Sequence, residues 1–131
     1  MSHPSLERVL LVEDDRNVRR VAQLALEMVG GLKVCACESG AEALEAVAEF
    51  QPQLVLLDVM MPDMDGPTVL RRLRERPETA SIPIVFLTAK VQNEELRQLR
   101  ALGALDVISK PFDAMTLANS VKSIWEGRPP D

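Results

Sequence analysis

The sequence has no tyrosine, one tryptophan, three phenylalanines, one histidine and two cysteines. With His3 as the only histidine, the core can hold neither a histidine-based catalytic triad nor a histidine phosphodonor. Zinc also loses its usual ligands, because Cys35 and Cys37 have no further cysteine to join them. The two lie two residues apart in a segment of strand character, which suits a disulfide poorly. They read as reduced, small apolar residues. No apolar run is long enough to span a bilayer, and the start, MSHPSLERVL, lacks the apolar stretch of a secretory signal. The expectation is a cytoplasmic protein with no membrane partner. Net charge is −5, so nucleic acid is not the expected partner. The basic run Arg71 to Pro77 reads as a solvated helix face rather than a docking patch.

What is present is a regular alternation. Hydrophobic residues make up 47% and charged residues 27% of 131, which fits one globular domain, with a core over about 6–126 and a tail at 127–131. Apolar runs at 8–12, 33–37, 53–58, 82–88 and 105–109 read as strands. Between them lie segments of helical period. The first places Val18, Val21, Ala22, Ala25 and Met28 on one face and stops at Gly30. Ser39 with Glu42 has the pattern of a capping box. Pro67 opens a helix that buries Leu70 and Leu73. Asn93 opens one with Leu96, Leu99 and Leu102 inward, and Asp113 caps a last one carrying Leu117, Val121, Ile124 and Trp125. The pattern is α/β, (βα)5: a doubly wound parallel sheet of flavodoxin-like order 2-1-3-4-5, with the ligand crevice beyond the strand ends between strands one and three.

That order brings acids together. Strand one ends in Glu13, Asp14 and Asp15, and strand three ends in Asp58. Clustered carboxylates repel one another, and a divalent cation relieves the repulsion; all-oxygen ligands suit magnesium or calcium. Thr88 and Lys110 end strands four and five at the same edge. Carboxylates, a hydroxyl and an ammonium together suit phosphoryl transfer to an aspartate, since an ionised carboxylate is already a nucleophile. Asp15 alone reads better as a helix cap, and singly Thr88 and Lys110 are ordinary strand ends. Their joint placement carries the reading. Asp63 and Asp65 belong to the turn that leads into the third helix, with Gly66 and Pro67 shaping its start.

In order along the chain, VLLVEDD, LVLLDVMMPDMDG, IVFLTAK and GALDVISKPF closely resemble the receiver domain of bacterial two-component response regulators. The resemblance implies that Asp58 accepts a phosphoryl group from a sensor histidine kinase or a histidine phosphotransfer protein. It implies magnesium, with manganese as the alternative, held by Glu13, Asp14, Asp58 and the backbone carbonyl of Met60. Thr88 and Lys110 would contact the phosphoryl group, Ala89 would leave access to it, and Lys110–Pro111 would be a cis peptide. Met60 and Lys90 would tune dephosphorylation. Val107 stands where many receivers carry a switch aromatic. The chain would be no enzyme beyond its own phosphorylation and dephosphorylation. It would signal by binding an unidentified downstream protein or by relaying or draining phosphate, as a monomer or dimer. With no output domain after helix five it resembles stand-alone, chemotaxis-type receivers; the alternative is the N-terminal receiver of a larger regulator, with GRPPD opening a linker.

Competing readings fare worse. A phosphatase with an aspartyl-phosphate intermediate needs a second Asp two residues after the first, and Met60 is there. A calcium loop that places Asp63, Asp65 and Gly66 at its third, fifth and sixth positions puts Met61 first and Arg72 twelfth, so both end ligands fail. A degenerate receiver that binds partners without phosphorylation sits badly with the complete set Glu13, Asp14, Asp58, Thr88 and Lys110.

Overall fold

A computed structural model describes residues 4–89 and 92–129. His3 and Lys90 lie outside the described residues, as do the last two positions of the tail. The strands are β1 (Arg8–Val12), β2 (Lys33–Cys37), β3 (Leu54–Asp58), β4 (Ile84–Thr88) and β5 (Asp106–Ser109). They pair in parallel in the order β2-β1-β3-β4-β5, the order read from the sequence. The helices are α1 (Arg16–Leu24), α2 (Gly40–Phe50), α3 (Gly66–Arg74), α4 (Asn93–Ala101) and α5 (Leu117–Glu126).

The central strands β1, β3 and β4 are apolar apart from Arg8, Asp58 and Thr88 at their ends, because each face has its own helical layer. Successive side chains point to opposite sides. Val9, Leu11, Leu54, Leu56, Val85 and Leu87 pack with Ala22, Leu26, Leu117, Ala118, Val121 and Trp125 of the α1 and α5 layer. Leu10, Val12, Val55, Leu57, Ile84 and Phe86 face the other way, onto Leu44, Val47, Leu70, Leu73 and Leu99 of α2, α3 and α4. Each strand therefore locks two layers at once, and a slip of one residue would exchange them.

Several local expectations need correction. The buried stripe of the first helix is Ala22, Ala25 and Leu26, while Val21 is 45% and Met28 79% exposed. Small alanines let the helix approach the sheet. A π-helical turn over Ala25–Val29, closed by Gly30 N–H donating to the Ala25 carbonyl at 3.2 Å, then shifts the phase and carries Met28 outward. On α4 the N-cap is Gln92, not Asn93, and Leu102 is exposed. The fourth strand begins at Ile84, after Pro83, rather than at Ile82. Asp113 caps a turn one step before α5: its carboxylate accepts from Met115 N–H at 2.8 Å, and its carbonyl accepts from Leu117 N–H at 3.0 Å.

Other signals act as read. Ser39 Oγ accepts from Glu42 N–H at 3.1 Å, although Glu42 answers to Glu38 N–H rather than to Ser39. Of the arginines in the basic run, Arg71 and Arg72 are exposed. Arg74 and Arg76 instead tie down the Ile82 and Leu44 carbonyls, at 2.8 and 2.9 Å. Cys35 and Cys37 are both free thiols, the second buried. No helix among the described residues is long and apolar enough to cross a membrane.

Candidate functional site

Parallel strands that all run the same way deliver their C-terminal residues to one edge. Val12 pairs with Leu57, Asp58 with Leu87, and Thr88 with Ser109. Glu13, Asp58, Thr88 and Lys110 therefore meet although they are far apart in sequence. Glu13 and Thr88 are fully buried and Asp58 is nearly so, while Asp14 is exposed.

Lys110 joins the two buried acids. Its Nζ donates to Glu13 Oε1 at 2.9 Å and to Asp58 Oδ1 at 3.1 Å. Its backbone N–H donates to the Thr88 carbonyl at 2.8 Å, which fixes the start of the loop after β5. The Lys110–Pro111 peptide is cis. Glu13 is held on its other oxygen by Asp15 N–H at 3.1 Å, and its own N–H donates to the Cys37 carbonyl at 3.0 Å. Asp15 caps α1, accepting from Asn17 and Val18 N–H at 2.9 and 3.1 Å, and so has the structural role read for it.

The loop after Asp58 folds back tightly. Asp63 takes a left-handed backbone, with φ of 67°. Asp65 is the N-cap of α3, its Oδ1 accepting from Thr68 N–H at 2.9 Å. A side chain at Gly66 would place its Cβ 2.5 Å from the Asp58 carbonyl oxygen, so glycine permits this return. Met60 N–H lies 3.4 Å from Asp58 Oδ1, and its side chain is 63% exposed.

The charges do not balance. One ammonium faces Glu13 and Asp58, with Asp14 beside them. Burial pushes the Asp58 carboxyl up to about 7, the hydrogen bond with Glu13 adds to this, and Lys110 opposes it. Burial pulls the Lys110 ammonium down, but its hydrogen bonds to Glu13 and Asp58 outweigh that and raise it. Glu13, Asp14 and Asp58 each offer a carboxylate oxygen, and these atoms lie within 4.8 Å of one another. Hard oxygen donors carrying excess negative charge fit a divalent cation such as magnesium.

Beside the acids runs a groove of about 480 Å³ lined by Asn17, Val18, Val21, Ala89, Lys110, Pro111 and Phe112. No spacing along the chain marks it, because it forms only where α1 meets the loops after β4 and β5. Val107 lies apart from the acids, half-buried against the α2–α4 layer and paired with Phe86.

Residues 9–122 match the family described as response regulator receiver domain. The transcriptional regulatory protein CseB of Streptomyces avermitilis is 36% identical over 116 residues, covering 88% of this chain and 48% of CseB. The chain spans about half the length of the curated relatives it matches. Among solved structures, the chemotaxis response regulator CheY4 of Vibrio cholerae superposes with a TM-score of 0.83 at 27% identity, covering 92% of this chain and 99% of that one. A response regulator from Desulfuromonas acetoxidans gives 0.80 at 28%, covering 91% and 96%. The chain belongs to the response regulator receiver domain family of two-component systems.

Proposed function

We propose that Asp58 accepts a phosphoryl group from a phosphohistidine on a sensor kinase or a histidine phosphotransfer protein. The observation that carries this is the meeting of the Asp58 carboxylate with Glu13, Asp14 and the Lys110 ammonium at one sheet edge. An Asp58 oxygen attacks phosphorus, the P–N bond to the imidazole breaks, and the imidazole leaves with the bonding pair. Lys110, 3.1 Å from Asp58 Oδ1, turns from its carboxylates to a phosphoryl oxygen. Thr88, on the neighbouring strand end, donates its hydroxyl to another. Glu13, Asp14, Asp58 and the Met60 carbonyl would hold magnesium, or manganese, which when bound neutralises charge on the phosphoryl oxygens.

The groove at Val18, Val21 and Phe112 gives a protein donor an apolar footing beside the acceptor. The chain acts on no substrate other than its own acyl phosphate, and it signals by phosphorylation-dependent protein binding or by relaying phosphate. Val107 leaves that switch without its usual aromatic. A receiver alone and one joined to an output domain would share this chemistry.

Incubation with acetyl phosphate, with and without magnesium, followed by intact mass, tests the reading. The expected result is a gain of one phosphoryl group that requires the metal. Steady turnover of an added phosphate ester would favour a hydrolase instead.

A further inference from the structure

We infer that Arg19 is a positioning residue for the cation site, setting the direction of the Asp14 carboxylate through the backbone on either side of it. The inference rests on the reading that Glu13, Asp14 and Asp58 hold the cation.

Arg19 sits on α1, and its side chain is 19% exposed. One nitrogen, Nη1, donates to the Glu13 carbonyl at 3.0 Å and to the Asp14 carbonyl at 3.4 Å. Those carbonyls belong to the peptide units before and after Asp14. Holding both oxygens restrains φ and ψ of Asp14, and with them the direction of its Cβ. The other nitrogen, Nη2, faces the Glu38 carboxylate at 3.8 Å, in the loop after β2. Glu13 N–H is bonded to Cys37 in the same neighbourhood. The guanidinium therefore ties the acidic segment to α1.

Asp14 needs such help more than its partners do. Glu13 and Asp58 are buried and held by Lys110, whereas Asp14 is an exposed loop residue. An unclamped loop would pay its ordering entropy when the cation binds. A planar guanidinium can satisfy two carbonyls and a carboxylate at once, which an ammonium on a flexible stem matches poorly. The bonds to backbone also set the sign of the test. If Arg19 acted only as a nearby positive charge, its removal would relieve repulsion and tighten cation binding. If it positions Asp14, its removal weakens binding.

Magnesium binding to the unphosphorylated full chain, measured by calorimetry, separates the two. For Arg19→Gln the dissociation constant should rise about tenfold, as removal of supporting contacts around metal ligands does. Arg19→Lys, which keeps the charge and loses the fork, should also bind several-fold more weakly, and it carries the test if Arg19→Gln does not fold. Glu38→Gln should change little. Unchanged or tighter binding in a folded Arg19 variant, while Asp14→Ala abolishes binding, would overturn the inference and leave the site intact. If Asp14→Ala binds magnesium like the parent, the site reading fails, and this inference with it.

Discussion

Lys110 Nζ lies 2.9 Å from Glu13 Oε1, joining residues 97 positions apart, and the same atom reaches Asp58 Oδ1 at 3.1 Å. A single ammonium thus holds the ends of β1 and β3 together across two buried carboxylates. Removing it leaves the acids facing each other without compensation. Lys110→Met should move the Asp58 carboxyl further above about 7. It should also destabilise the protein at pH 8, by about 3 kcal/mol or less because Lys110 is itself partly exposed. Carboxyl carbon shifts followed by NMR titration read the first effect, and urea unfolding reads the second. An unmoved midpoint would contradict the pairing.

The Asp58 carboxyl rises from 3.8 to about 7 on folding, through burial first and the Glu13 hydrogen bond second. The native state therefore binds the extra proton between about pH 4 and pH 7. By linkage, this group's contribution to stability is full below about pH 4 and is lost as pH rises through about 7. Without added metal, Asp58→Asn should gain on the parent as pH rises through that window, by on the order of a few kcal/mol. Magnesium should narrow the gap by favouring the ionised acid. Denaturation midpoints across the window test this; parallel profiles for the two proteins would count against it.

Gly66 should tolerate no side chain. Its Cβ would lie 2.5 Å from the Asp58 carbonyl, 3.0 Å from Val59 Cα and 3.1 Å from Phe86 Cε1. The first two neighbours are backbone and cannot turn away. Gly66→Ala should cost about 1–3 kcal/mol in urea unfolding. It should also slow acquisition of phosphate by shifting Asp58.

Leu26 and Met28 give opposite answers on one short segment. Leu26 is fully buried in the core layer shared with α5, whereas Met28 is 79% exposed. Leu26→Ala should destabilise by about 2–5 kcal/mol, and Met28→Ala by no more than about 0.5 kcal/mol. A large loss at Met28 would return the helix to the phase its sequence first suggests.

The strands, their order and the acids at their ends were legible because each rests on strong local signals. Continuous apolar runs mark doubly covered strands, and five alternating β and α units match the common doubly wound order 2-1-3-4-5. Asp15, Ser39 and Pro67 stood at helix starts where elementary capping places them. What escaped depended on contacts between distant segments. The first helix read as one face from Val18 to Met28, and only packing against the sheet and α5 selects Ala22, Ala25 and Leu26. The Lys110–Glu13 bond, the Arg19 clamp and the groove at Phe112 involve side chains whose reach no spacing encodes. Arg74 and Arg76 read as solvent-facing because the carbonyls they bind belong to other elements.

The role of every other residue at this edge depends on which carboxylate takes the phosphoryl group. Parent and Asp58→Asn chains, each exposed to acetyl phosphate and magnesium and then weighed intact, answer this most directly. One phosphoryl group should add to the parent and none to Asp58→Asn. An equal gain on both would place the acceptor elsewhere and contradict the Asp58 assignment.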